Sequence, residues 1–120
     1  MKRKIVIGGG IVCVLLVSLL LAGCVTPTHY MVPMRDNVQL ATDVYVKKLS
    51  QEHGSILIRT PYDKNNLLLL GMNWAQNGWP TIIQDMRGRF ASQGVDTVFK
   101  SDHTDGPDTL AWIANQTWSN

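Results

Sequence analysis

Two short segments, Ser55-Ile-Leu-Ile-Arg59 and Thr81-Ile-Ile-Gln-Asp85, do most to limit what this chain can fold into. The first is apolar, β-branched and without alternation, the pattern of a strand buried on both faces. The second is the next strand. Between them, Asn65 to Asn77 places Leu68, Met72 and Ala75 at three- and four-residue spacing and stops at Gly78, which predicts a helix. A second helix is predicted from Asp105 to Gln116, with Asp105 or Gly106 near its cap, Pro107 in its first turn, and Leu110, Ile113 and Ala114 on one face. Strand, helix, strand, helix implies parallel pairing and an α/β fold. Upstream, a strand from Tyr30 to Arg35 leads into a turn at Asp36-Asn37. Val38, Leu40, Val44 and Val46 then alternate with Gln39, Ala41, Asp43 and Tyr45, as in a half-buried strand, and the two strands together predict an antiparallel hairpin.

The chain's 120 residues suit one domain, but the first two dozen stand apart. Lys2, Arg3 and Lys4 precede an almost uncharged run from Ile5 to Ala22, the layout of an export signal. Leu21-Ala22-Gly23-Cys24 resembles the lipobox of bacterial lipoproteins. That resemblance implies a diacylglycerol thioether on Cys24 and cleavage in front of it, with acyl chains each contributing about 0.8 kcal/mol per buried methylene. The alternative is an uncleaved anchor, because the run is close to the roughly 20 residues that span a bilayer. The expected organisation is a signal at residues 1–23, a lipidated tether at 24–29 and a domain from 30 to 120. The expected location is the bacterial cell envelope, exported and lipid-anchored. Val25 after the cysteine implies outer-membrane sorting if the source is Gram-negative.

Beyond the signal the charge reverses. Residues 24 to 120 hold eight Lys and Arg against nine Asp and Glu, a balance of −1 where the whole chain has +2. No basic stripe is left for a phosphate backbone, so nucleic acid is not expected as a partner. Cys13 lies in the signal and Cys24 is the expected lipid attachment, which leaves no disulfide. There is no metal-binding His-Glu motif or Cys pair, and Asp102, Asp105 and Asp108 gather at a turn and helix start, where the dipole favours negative charge. Neither a metal nor another cofactor is expected.

Four ordered blocks carry a further resemblance: Met31-Val-Pro-Met-Arg-Asp36 with Leu40-Ala-Thr-Asp43; Arg59-Thr-Pro-Tyr-Asp-Lys64; Gln84-Asp-Met-Arg-Gly-Arg-Phe-Ala-Ser-Gln-Gly94; and Asp105-Gly106, Asp108-Thr109, Trp112-Ile113 and Trp118-Ser119-Asn120. Together they resemble the N-terminal part of the X-Pro dipeptidyl-peptidase and cocaine-esterase-like serine hydrolases, which include acyl esterases and α-amino-acid ester hydrolases. The resemblance implies the N-terminal part of an α/β-hydrolase fold, an antiparallel hairpin leading into a parallel sheet with flanking helices, and a small ester or X-Pro peptide as substrate. It also implies that Tyr62 donates a hydrogen bond to the oxyanion. The alternative for Tyr62 is a tyrosine packed in a loop with its hydroxyl at the surface. Asp85 and Arg87, at the end of a strand, invite a catalytic reading. The preferred one is structural: the pair, with Gly88, fixes the following loop through an ion pair and backbone hydrogen bonds. Asn37 stands where the family commonly has glycine, and it too tolerates positive φ.

The nucleophile turn of such folds, G-x-S-x-G, does not occur in this sequence. Ser50, Ser55, Ser92, Ser101 and Ser119 all lack a glycine two positions earlier, and His29, His53 and His103 match no catalytic position and are expected in solvated loops. The nucleophile, acid and histidine are therefore expected outside residues 1–120. On this reading the chain is a truncated product or fragment of a lipid-anchored hydrolase, inactive alone, with its central strand open on one edge. The alternatives are a non-catalytic surface lipoprotein that binds a partner, and one half of a split enzyme.

Overall fold

In the computed structural model, which describes residues 23–47 and 53–119, Asn37 sets the geometry of the first two strands. Its φ of 66° lies in the left-handed region, as its place in the turn predicts. The turn is closed by the Asn37 N–H donating to the Met34 carbonyl at 2.9 Å and the Met34 N–H donating to the Val38 carbonyl at 2.8 Å. Strands β1 (Thr28–Pro33) and β2 (Gln39–Tyr45) thereby pair antiparallel, from Thr28 opposite Val44 to Pro33 opposite Gln39. Next come β3 (Ile56–Thr60), a 3-10 turn (Lys64–Leu67), helix α1 (Leu68–Gln76), β4 (Thr81–Asp85) and helix α2 (Asp102–Ala114). The sheet order is β1-β2-β4-β3, with β4 antiparallel to β2 and parallel to β3. This is the mixed α/β sheet that the sequence predicts.

The two helices cover opposite faces of the sheet. On one face Tyr45, Ile83 and Ala75 are buried with Ile58, Leu67 and Met72 packed against them. On the other, Val44, Ile82 and Ile113 pack with Leu57, Trp112 and Trp118, and Val32, Met34 and Leu40 extend that layer through Trp112. Close approach of α1 depends on Gly71, where a Cβ would stand 2.7 Å from a ring carbon of Tyr45.

Four elements differ from their sequence pattern. β2 is not half-buried: every residue from Leu40 to Tyr45 is buried, because β2 is an inner strand with a helix on each side. Its polar residues have partners, Thr42 receiving the Gln84 Nε2 donor at 3.0 Å and Asp43 meeting Lys64 Nζ at 3.0 Å. β3, conversely, is an edge strand, so Ile56, Leu57 and Ile58 are only half-buried. Its Ile56 N–H donates to the Pro80 carbonyl and its Thr60 carbonyl accepts from the Met86 N–H. By strand alternation the main-chain groups of Leu57 and Arg59 face the open edge. Helix α2 begins at Asp102 rather than Asp105, which puts Pro107 inside the helix. The turn before Pro107 is held from outside by arginines on Asp102 and Asp105.

The fourth difference is the expected tether. Val25 is only 7% exposed and packs with Tyr45, Ala75 and Ile83, and β1 starts at Thr28, so Val25, Thr28 and His29 of the expected tether belong to the domain. The rest of the predicted signal, residues 1–22, lies outside the described residues.

Candidate functional site

The parallel strands β3 and β4 end side by side, and the loops leaving them form a cleft. Open α/β sheets place ligands at this end. Pro61, Tyr62, Met86, Arg89, Asp96, Val98 and Phe99 line a cavity of about 180 Å³ there. Tyr62 is held by its backbone: its N–H donates to Thr60 Oγ1 at 3.0 Å, and its carbonyl accepts from Asn66 Nδ2 at 2.8 Å. Its side chain is 75% exposed, and among the described residues its hydroxyl has no hydrogen-bond partner. A fixed main chain thus carries a free phenol donor over the cleft. Across from it, Arg89 Nε donates to the Pro61 carbonyl at 3.0 Å and Nη1 pairs with Asp96 at 3.2 Å, joining the two loops. Among the described residues, the cleft lining offers no nucleophilic hydroxyl besides the phenol itself.

Asp85 is buried beneath this cleft and is occupied. Its carboxylate accepts the Lys64 N–H at 2.7 Å and the Ala91 N–H at 3.3 Å, while Ser92 Oγ donates to its carbonyl at 2.6 Å. Burial pushes its pKa up from the ordinary carboxylate value, against the lowering effect of those two backbone donors. The expected Asp85–Arg87 ion pair does not form. Asp85 turns toward Lys64 and the loop at Ala91, whereas Arg87, past the strand end, reaches α2 and the hairpin turn. There its guanidinium meets Asp105 at 2.6 Å and Asp36 at 2.7 Å, with Gly88 at φ 69° making the bend.

Two arrangements are not legible in the sequence. Asp102, Asp105 and Asp108, expected around a turn and helix start where the dipole favours negative charge, each also meet an arginine: Arg59 at 2.7 Å, Arg87 at 2.6 Å and Arg35 at 2.7 Å respectively. Arg59 also donates from Nε to Gln84 Oε1 at 2.9 Å, so the network continues into the sheet through Gln84 to Thr42. On the other face, Lys64 Nζ donates to the buried Asp43, which also meets His29 Nδ1 at 2.6 Å. Burial, followed by the negative Asp43, pushes the nearby Tyr45 phenol up to about 12. Of the three histidines expected in solvated loops, His53 lies in one, between β2 and β3, and stacks on Trp79 at 4.3 Å between ring centroids, whereas His29 lies in β1 and His103 in α2, both exposed. None lines the Tyr62 cleft.

A hairpin feeding parallel strands, with helices on both faces and a phenol at the strand ends, defines part of an α/β-hydrolase. The family model described as X-Pro dipeptidyl-peptidase (S15 family) matches residues 36–120. The chain belongs to that family of serine hydrolases, which covers esterases and peptidases. It is 39% identical over 97 residues to the cocaine esterase of Rhodococcus sp. (strain MB1 Bresler), a match spanning 76% of this chain and 17% of the esterase. Among solved structures, an α-amino acid ester hydrolase superposes with a TM-score of 0.68 at 27% identity, covering 80% of this chain and 20% of that one. An aminopeptidase from a marine sediment archaeon (Thaumarchaeota archaeon) superposes with a TM-score of 0.66 at 23% identity over the same shares, a likeness of fold. The chain therefore spans about a fifth of the length of these relatives.

Proposed function

We propose that residues 30–120 form the N-terminal part of a membrane-anchored serine hydrolase acting on acyl esters or X-Pro dipeptides through an acyl-enzyme. The observation that carries this reading is the free Tyr62 hydroxyl over a cleft at the ends of β3 and β4, beside the open edge of β3. In acyl transfer, attack on the carbonyl puts negative charge on its oxygen. A donor already aimed at that position contributes roughly 10²- to 10³-fold in rate. Tyr62 is that donor. The serine nucleophile arrives on a strand added at the open edge of β3, and the acid and histidine follow it. Arg87 and Asp85 hold the loops around the cleft and do not touch substrate.

Residues 1–120 alone are inactive on this reading, since nothing in them supplies the nucleophile turn. The bilayer is reached through Cys24, lipidated and exposed at the start of the domain. The open β3 edge also favours a second reading, a non-catalytic surface lipoprotein that binds a partner strand there, or half of a split hydrolase.

Reading the coding DNA past codon 120 separates these. A continuation or shifted frame encoding the glycine-serine turn supports the first reading, and a separate intact frame carrying the triad supports the split enzyme. Ester or X-Pro turnover by the isolated 120-residue chain would overturn the assignment of the nucleophile to residues outside it.

A further inference from the structure

We propose that the outer face of α1, with Gly23 and Cys24, lies directly on the bilayer, so that the domain is docked to the membrane rather than held away from it. This rests on the membrane-anchored reading above. Cys24, Leu69, Met72, Asn73, Gln76 and Asn77 border an open groove of about 590 Å³. The chain is fixed at this groove, because Val25 is buried against Tyr45 and Ala75 one residue after Cys24. The apolar run Ile5–Ala22 ends two residues before Cys24. Whether that run is kept as a span or exchanged for a diacylglycerol thioether on Cys24, hydrocarbon begins within a few residues of Val25. Each residue advances the chain by at most about 3.5 Å, and the headgroup region is only about 5 to 8 Å deep on each side of the hydrocarbon. Val25 and the groove beside it are thus confined to the headgroup layer or its immediate border.

The surface presented there suits that position. α1 has no charged residue, and Leu69 is 78% exposed on it. On the opposite face of the sheet α2 carries Asp102, Asp105 and Asp108. Lys47, exposed at the far end of α1 with its Nζ 3.5 Å from the Gln76 carbonyl, places a cation where anionic headgroups attract it. An uncharged helix with an exposed leucine, next to the attachment point and edged by a lysine, is an interfacial face.

The test is photocrosslinking of the full chain in membranes of the expressing cells, with p-benzoylphenylalanine replacing Leu69 or, as control, Leu110, which is 55% exposed on α2. Both sites are exposed, so neither replacement enters the core. Irradiation should yield at least tenfold more lipid adduct from Leu69→p-benzoylphenylalanine than from the Leu110 variant. Equal lipid labelling, or adducts to polypeptide only at position 69, overturns the docking. Anchoring is read separately by carbonate-resistant membrane association and the mass of the peptide bearing Cys24. A chain that is anchored but fails the crosslinking test refutes docking alone, whereas a chain found wholly in the soluble fraction refutes docking and anchoring together.

Discussion

Arg87 grips Asp105 with two near-parallel hydrogen bonds, Nε to Oδ2 at 2.9 Å and Nη2 to Oδ1 at 2.6 Å, and so ties the loop after β4 to the first turns of α2. Asp105 is 1% exposed, and the arginine's pKa is raised, by Asp105 first and Asp36 second. Removing one partner of a buried pair costs about 3–5 kcal/mol, because the other charge stays buried. Asp105→Ala should fall near the lower end, about 3 kcal/mol, since Arg87 keeps Asp36. In thermal unfolding of the detergent-solubilised chain that is a fall in Tm of more than about 10 °C. Asp36→Ala, at an exposed carboxylate, should lower Tm far less. Equal shifts would mean that burial does not decide the strength of the pair.

Tyr62→Phe isolates the phenol. The ring remains, and the Tyr62 backbone keeps its bonds to Thr60 and Asn66. Placed in a polypeptide or reconstituted pair that includes the nucleophile, the variant should lose roughly 10²- to 10³-fold in kcat with KM little changed, as expected of a donor that acts mainly in the transition state. Its Tm should stay within the scatter of other surface substitutions. An unchanged kcat would remove Tyr62 from the oxyanion site and leave it as an exposed loop tyrosine.

The parallel pair, the hairpin turn at Asn37 and the Tyr62 loop were legible because each follows from local chemistry: apolar β-branched runs, a residue that tolerates positive φ, and a motif with a family resemblance. The start of α2 was not. Ser101 provides no side-chain cap, and the first turn is held by Arg59 and Arg87 from distant parts of the chain. No local pattern in the sequence pairs Arg35, Arg59 and Arg87 with three aspartates three residues apart on one helix. Val25 was misread for a similar reason. Flanked by a cysteine and a Thr-Pro-Thr stretch, it resembles a linker residue, and only the space left by Ala75 and Tyr45 makes it a core residue.

Stability should respond to pH in two opposing ways. Asp36 and Asp108 have pKa values lowered chiefly by hydrogen bonds from Arg87 and Arg35. Their contribution is present above the unfolded value near 3.8 and is lost as pH falls through the lower folded values. Asp85 behaves oppositely, its pKa raised by burial. The folded state takes up that proton first, so stability rises as pH falls from the raised value toward 3.8. Asp85→Asn should therefore flatten the stability profile between neutral pH and about pH 4 while leaving the acid-side loss in place. Chemical-denaturation midpoints measured across that range would show it, and an identical profile in both proteins would remove Asp85 as the source of the rise.

The main-chain groups of Leu57 face away from β4, so Leu57→Pro removes a donor that the described sheet does not use. Proline is tolerated on edge strands for this reason, and it blocks pairing by any strand added on that side. The Leu57 side chain packs only partly buried beside Ile113, so the ring replaces much of its apolar contact. The 120-residue chain should self-associate through this edge in sedimentation velocity, and Leu57→Pro should shift it toward monomer. In a protein that includes the nucleophile strand, the same substitution should abolish ester turnover although Tyr62 is untouched, because the added strand cannot pair. Unaltered self-association together with unaltered turnover would show that nothing docks at the β3 edge, and the serine would then have to reach the cleft from another side.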